Sequence, residues 1–419
     1  RIVIPHINPQ ILVFESTCRQ PFGFPVLCFC IYPISKKRVM LLDVEPKPTQ
    51  QILPTPILQQ TAFWAKVKSR QGWRTQAYNI NIDSNYSLAA LPYSAENGYH
   101  KITAGDILIT LKDVGHNAQI AYVPYGPEAL PHDDDRGCWL EELSERLRHY
   151  LPETCFLIRY DLNWKSIWAT DSQYFTSKGE WLGPPDPKSQ EIRMNIGSAH
   201  WNLRKAPTDI LPSNTVFLDL TPDEDTLLQK MKPKTRYNIG LAQRKKVHVR
   251  EATPEELPSW FRMYQQTAQR NRIVLDSISY FSNVLQTSAS DTLSPAQVKL
   301  LIAEANGEPL SGMFLALSKE RATYLYGAST SVNRNFMGPY ALQWEAIKLA
   351  KAAGCAEYDM FGISGTPNPE HPMYGLYRFK TGFGGTIHHR QGCWDYPLNP
   401  NLYESYRATE MASQGFHVK

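Results

Sequence analysis

The order of helix and strand signals after Thr221 constrains this chain more than any other feature. Thr221-Pro222-Asp-Glu224 combines a capping hydroxyl, a proline at the first helical position and a glutamate at the third, and Thr253-Pro254-Glu-Glu256 repeats the device. Two helices therefore start in succession. Strand-like runs at 298–303, 311–317 and 323–328 follow, with Asn306-Gly307 between the first two, which predicts an antiparallel meander. A helix is expected from about Pro339 to Ala353, stopped by Gly354, and then one more strand over Glu357–Phe361.

Helix, helix, three strands, helix, strand is the order of an acetyltransferase-type (GNAT-type) fold. Residues 58–220 read as a looser copy. Thr61 caps a helix carrying Trp64 and Val67 and ending at Gly72. Strand-like runs follow at 75–82, 107–111 and 118–123, then a Gly126-Pro127 turn, a helix over 139–150, and a buried-type strand over 154–161 that ends in Asp161. Residues 165–206 read as loop-rich, and 215–220 as a strand. The expected fold class is α/β (α+β) with two GNAT-type domains, 58–220 and 221–385. Residues 386–419 are candidates to pack back on the first. The stretch 254–297 has no sustained heptads, so no long coiled-coil arm is expected.

A chain of 419 residues exceeds one typical core, which agrees with two domains. Residues 1–57 read as a poorly ordered N-terminal extension from an overlong gene model, with a cleaved targeting segment as the alternative. No apolar run reaches the length needed to span a bilayer. Seven cysteines, scattered apart from Cys28 and Cys30, argue against a disulfide framework and for a reducing compartment. No second Cys/His pair with zinc spacing accompanies Cys28-Phe-Cys30, so no metal is expected.

The formal net charge of +4 excludes a surface that binds polyanions everywhere. The positive field is instead local. Lys230, Lys232, Lys234, Arg236, Arg244, Lys245 and Lys246 crowd one segment with no acid among them. Such a segment is either a solvated helix face or an anion-binding surface. Asn335-Phe-Met-Gly338-Pro339-Tyr340 occupies the place where an acetyltransferase turn would hold pyrophosphate on backbone N–H groups. Pro339 has no N–H to give and Tyr340 adds bulk, so an acyl donor other than acetyl-CoA, or none, is expected. Phe379-Lys380 stands before a flexible glycine-rich stretch, where a lysine could stabilise an oxyanion or simply occupy a surface turn. Asp161 could orient an amine or accept its proton, or could cap a turn. Tyr324 and Tyr326 alternate with Leu325 and are expected on one face of their strand.

Together these residues resemble the FemABX family of peptidoglycan bridge-forming aminoacyltransferases. The resemblance spans about residues 58–410. It rests on Trp64-Ala-Lys66-Val-Lys68, Arg159-Tyr-Asp161, Lys234-Thr-Arg-Tyr-Asn-Ile239, Tyr324-Leu-Tyr-Gly-Ala-Ser329, Pro339-Tyr-Ala-Leu-Gln-Trp-Glu-Ala-Ile347, Tyr358-Asp-Met-Phe-Gly-Ile363 and Tyr374–Gly385. It implies transfer of an amino acid from aminoacyl-tRNA to the side-chain amine of the third stem-peptide residue, without a cofactor. The implied acceptor is UDP-MurNAc-pentapeptide or the lipid-linked precursor. Lys66 would lie near the acceptor's phosphates and Asp161 near its peptide. Tyr324 and Tyr340 would line the groove, and Lys380, behind Phe379, would meet the aminoacyl end of the tRNA. Lys232, Lys234, Arg236, Arg244, Lys245 and Lys246 would meet phosphates. Two departures stand out. Glu320, followed by Arg321, occupies a place where a relative has a phosphate-contacting arginine, and Phe156 occupies that of a groove tyrosine, so Arg321 and Phe156 are the substrate-binding candidates at those two places. The resemblance further implies a cytoplasmic protein at the inner membrane face, a peripheral membrane contact and a monomer. Another acyltransferase of the same fold, or a non-catalytic module that binds cell-wall precursors, are the competing expectations.

Overall fold

The computed structural model describes residues 42–91, 101–115, 117–271 and 274–412, together with the backbone of three strands at 11–18, 26–33 and 95–97. The expectation of poor order over 1–57 falls partly on residues 1–10, 19–25 and 34–41, which lie outside the described residues. β1 (Ile11–Cys18) and β2 (Val26–Pro33) pair with each other. β3 (Leu42–Lys47) is an edge strand of the main sheet, so the fold already begins within the expected extension.

Fourteen of the described strands form one sheet. In the first half, β3, β4 (Arg74–Asp83), β6 (Lys101–Asp113) and β7 (Gln119–Val123) pair antiparallel in that order, and β5 (Ala95–Asn97) adds to β6. α1 (Ala62–Arg70) precedes β4, and Thr61 accepts the N–H of Trp64 at its start, as its spacing predicts. α2 (Arg136–Arg148) crosses over to β8 (Cys155–Lys165), which lies parallel to β7.

The second half repeats the plan. β11 (His248–Glu251), β12 (Ala296–Ala305), β13 (Glu308–Ser318) and β14 (Arg321–Ser329) pair antiparallel, and α8 (Gly338–Ala352) crosses over to β15 (Glu357–Gly362), which lies parallel to β14. The remaining helices of this half are α4 (Glu224–Lys230), α5 (Pro233–Arg244), α6 (Leu257–Asn271), α7 (Ile278–Gln286) and α9 (Tyr374–Lys380). Among the described residues no long coiled-coil arm interrupts it. β10 (Asn214–Asp219) and β16 (Thr386–Pro397) lie side by side between β15 and β8, so the halves share a continuous sheet.

β8 shows why the joint holds. It is flanked by β7 and β16 and is buried on both faces over residues 155–162. Its Arg159 sits in that core and forks onto two carboxylates, Asp395 on β16 at 2.7 Å and Glu410 on α10 (Pro400–Ala412) at 2.8 Å. A buried guanidinium is tolerated only when both of its edges are paired. This pairing locks the C-terminal helix onto the first half.

Four details depart from the sequence reading. The helix after Thr221 starts two residues later, because Asp223 accepts the N–H of Thr226 while Thr221 turns its hydroxyl to Asp219. The loop-rich stretch contains α3 (Pro187–Asn195), opened by an Asp186 cap and a proline at the first turn. β8 continues to Lys165, so Asp161 is a mid-strand residue and not a turn cap. Residues 374–380 form a helix, so Lys380 ends an ordered element.

Candidate active site

β14 and β15 stay paired only from Arg321↔Glu357 to Thr323↔Asp359. Beyond those three pairs the parallel strands part, and Lys380 enters from the end of α9. Its Nζ donates to the carbonyl oxygen of Gly362 on β15 at 2.9 Å and lies 5.0 Å from the centre of the Tyr324 ring on β14. The residue is only 4 % exposed. Burial lowers its pKa to about 7, against the weaker opposing attraction of Asp359. Asp359 is committed elsewhere. It accepts the Thr215 hydroxyl and the Phe361 N–H, and it pairs with Arg390 at 3.3 Å.

The surrounding side chains form a floor and a wall. Tyr358, on β15, donates to Gln343 at 2.8 Å, and burial pushes the Tyr324 phenol up to about 12. Tyr340, Phe379 and Phe383 form the wall, with Phe379 edge-on to both neighbours at 5.0 and 5.3 Å. Gly327 keeps the floor open, because a Cβ there would lie 1.6 Å from the Tyr324 hydroxyl.

A β-bulge sets which tyrosine faces this site. Phe314 pairs with Tyr326 and Leu315 with Tyr324, which leaves Leu325 unpaired. The extra residue cancels the alternation. Tyr324 packs on the same core cluster as Tyr340 and Phe379 and carries the Lys380 ammonium over its ring, whereas Tyr326 turns to Phe281 and hydrogen-bonds Tyr280 at 2.6 Å. The expectation that both tyrosines share a face fails for this reason.

The start of α8 cannot cradle a pyrophosphate. Pro339 has no N–H, and the N–H groups of Tyr340 and Ala341 are both spent on the Met337 carbonyl. At the matching place in the first half, Asp133, Asp134 and Asp135 precede α2 and would repel phosphate.

The model of the FemAB family matches residues 51–293 and 286–411. The chain belongs to the FemAB family. Similar curated proteins are the lipid II:glycine glycyltransferases of Staphylococcus haemolyticus (23 % identical, covering 46 % of this chain and 61 % of that protein) and Staphylococcus epidermidis (24 %, with 46 % and 60 % covered). This FemAB protein thus spans about three-fifths of the length of the curated relatives it matches. The crystal structure of FemX superposes with a TM-score of 0.63 at 16 % identity, covering 86 % of this chain and 96 % of that one. The fold is therefore that of FemX, an α/β fold in which two similar halves share one large sheet.

Within this FemAB fold, Lys380, Phe379, Tyr324 and Tyr340 come together. Asp161 does not join them. Its strand is three strand spacings from β15, about 14 Å. It is fully buried, where it accepts the Tyr122 hydroxyl at 3.0 Å and the Leu211 N–H at 2.7 Å. Burial, reinforced by the charge of Asp209, raises its pKa to about 7. Phe156 packs under α10 against Tyr403 and Tyr406, away from the lysine. Lys66 lies on α1, ion-paired with Asp291 at 2.5 Å. Arg321 is held by Glu357 at 2.5 Å and covers the Phe217 ring, at the closed end of the β14–β15 pair.

The basic segment is α5 and its flanks. Lys232, Lys234, Arg236, Arg244 and Lys246 are exposed, while Lys245 lies 4.8 Å over the Phe336 ring. Arg236 also donates to the Met231 and Gln229 carbonyls at the end of α4. The sequence reading missed Asp359, Arg390 and Gln343. Asp359 lies within a quoted motif, but only the register with Thr215 and Arg390 reveals its role. Lys68 was also missed. It is enclosed by Trp64, Trp73 and Tyr280 at 5.2, 5.0 and 5.4 Å, and burial lowers its pKa to about 8 against the attraction of Asp276.

Proposed function

We propose that this FemAB protein is an aminoacyltransferase that takes an amino acid from aminoacyl-tRNA and attaches it to the stem-peptide side-chain amine of a peptidoglycan precursor. The observation that carries the reading is the buried Lys380 between the parted strands β14 and β15, together with a helix start where Pro339 lacks an N–H and those of Tyr340 and Ala341 are spent. Membership of the family and the likeness to glycyltransferases that act on lipid II support the same reading.

The chemistry is aminolysis of an ester. A neutral acceptor amine attacks the aminoacyl carbonyl carbon. The carbonyl oxygen becomes an oxyanion, and the bond to the ribose oxygen breaks as the amide forms. The proton lost by the amine ends on that ribose oxygen. The donor is already activated, so positioning and oxyanion stabilisation are the tasks left to the protein. Lys380 in its charged form donates to the oxyanion. Phe379 and Tyr340 hold the aminoacyl end against the lysine, and Tyr324 lines the groove. Lys66 meets the acceptor's phosphates by exchanging its exposed Asp291 partner for them. Asp161 shapes the peptide end of the groove from within the first half, with Phe156 behind it, and Arg321 braces the closed end of the β14–β15 pair. Lys232, Lys234, Arg236, Arg244, Lys245 and Lys246 meet the tRNA backbone. The first domain, 58–220 with the C-terminal strand and helix, presents the acceptor, and 221–385 presents the donor. The lipid-linked form of the acceptor would place the protein at the inner face of the membrane. Among the described residues no helix is long and apolar enough to cross it.

The test is incubation with a mixed aminoacyl-tRNA pool and, separately, UDP-MurNAc-pentapeptide or the lipid-linked precursor, followed by mass analysis. A precursor heavier by one or more aminoacyl units supports the reading. Acetylation from acetyl-CoA, or binding of precursor without turnover, would replace it.

A further inference from the structure

Tyr237 lies on the outer face of α5 and is 61 % exposed. An exposed tyrosine alone is unremarkable, but its surroundings are specific. The Arg244 guanidinium lies 5.7 Å from the centre of its ring. Lys234 and Arg236 precede it in sequence, and Lys232 and Lys246 stand exposed at the two ends of the helix. Among the described residues no carboxylate lies within salt-bridge distance of Lys232, Lys234, Arg236, Arg244, Lys245 or Lys246. The inner face of the helix explains its position, since Thr235, Asn238, Ile239 and Ala242 are buried against the domain. Nothing in the packing of the domain uses the tyrosine.

α5 is also tied to the lysine site. The N–H of Lys232 donates to the Gly382 carbonyl at 2.8 Å, two residues beyond Lys380. Thr235 fills the space that a side chain at position 382 would need. Tyr237 stands five residues further along, about 8 Å at helical rise. A flat ring among unpaired cations matches an unpaired nucleotide, whose base offers a π-face and whose phosphate needs a cation. A base inside a duplex cannot reach such a ring.

We propose that Tyr237, steadied by Arg244, is a stacking platform for an unpaired base of the RNA donor, holding its single-stranded 3′ end so that the terminus runs along α5 toward Lys380. This rests on the RNA-donor reading above and adds to it the residue that distinguishes an unpaired end from a duplex.

The experiment is fluorescence anisotropy with two uncharged acceptor-stem RNA hairpins, one carrying an unpaired 3′ extension and one blunt. Wild-type protein is expected to bind the extended hairpin more tightly. Tyr237→Ala should weaken that binding about 5- to 100-fold, the range for loss of one base–aromatic stack, and leave the blunt hairpin unchanged. Tyr237→Trp should retain it, which separates stacking from a folding defect. Lys234→Ala should weaken both hairpins alike. Equal affinity of wild type and Tyr237→Ala for the extended hairpin would overturn the proposal and leave the RNA-donor reading standing. Failure of wild type to bind either hairpin would overturn both.

Discussion

Arg390 holds the carboxylate of Asp359 at 3.3 Å, and that pairing leaves Lys380 without a partnered anion. Both members of the pair are buried, and Arg390 is also clamped by Asn163 at 2.7 Å and by the face of the Tyr125 ring at 4.4 Å. The acid nearest the lysine is thus already neutralised. Among the described residues the Lys380 ammonium is given a carbonyl and a ring face rather than a carboxylate, and burial dominates its protonation.

Replacing Lys380 with Met keeps the length and removes the charge. Turnover should fall about 10²–10³-fold, the range for loss of one oxyanion donor. Acceptor affinity should change little, because the contact forms in the transition state. Turnover near that of wild type in single-turnover assays would refute the catalytic role.

The protonation of Lys380 gives a pH test with a fixed sign. Its folded pKa of about 7 lies below the ordinary 10.5, so between those values the unfolded chain holds a proton that the folded one lacks. Stability from this group therefore rises with pH across that window and is lowest at pH 7 and below. Lys380→Met should be more stable than wild type at pH 7 in urea titrations, and the gap should close toward pH 10.5. Oxyanion stabilisation, which needs the charged form, should fade as pH rises through about 7. A wild-type kcat/KM for donor with no such limb, or with one that persists in the Met variant, would contradict the assignment.

Asp161 runs the other way. Its folded pKa of about 7 lies above the ordinary 3.8, so the folded protein keeps a proton that the unfolded chain releases. That contribution is present at low pH and is lost as pH rises toward 7. Asn cannot ionise. Asp161→Asn should therefore gain stability relative to wild type between pH 5 and pH 8. A constant difference across that range would mean the carboxylate is not buried as described.

Asp359→Asn removes one side of a buried ion pair and leaves Arg390 uncompensated. The expected loss is about 3–5 kcal/mol, read by chemical denaturation. A loss below about 1 kcal/mol would show that Asn163 and Tyr125 suffice to hold the guanidinium.

Lys66 offers a contrast on the surface. Its Asp291 partner is 70 % exposed, and such pairs contribute about 0–1 kcal/mol. Lys66→Met should leave the melting temperature nearly unchanged while raising KM for the phosphate-bearing acceptor. A destabilised variant with normal KM would assign the residue to the contact between α1 and the loop after α7 instead.

The elements with strong local signals were legible in the sequence. The Thr61 cap, the Asn306-Gly307 turn and the Gly354 stop each record a backbone requirement met by neighbouring residues. The site was legible only in part. Lys380, Phe379 and Tyr340 lie near one another in sequence or in a recognisable turn. Asp359 and Arg390 are paired by the β10–β15 and β10–β16 registers, which no local pattern encodes. The bulge at Leu325 is silent for the same reason, since alternation in the sequence cannot report an unpaired residue. Phe156 looked like a groove residue because the helix that covers it begins more than 240 residues later.

β10 and β16 lie hydrogen-bonded to each other from Asn214↔His389 to Phe217↔Thr386, across the seam between the halves. A hinge at that seam would have to shear those bonds and strip the buried Arg390 of its partners. The seam therefore resists hinge motion between the two halves. On the aminoacyl-transfer reading proposed above, the spacing between the first half and Lys380 is then fixed, a ruler that would select the length of the side chain whose amine reaches the ester.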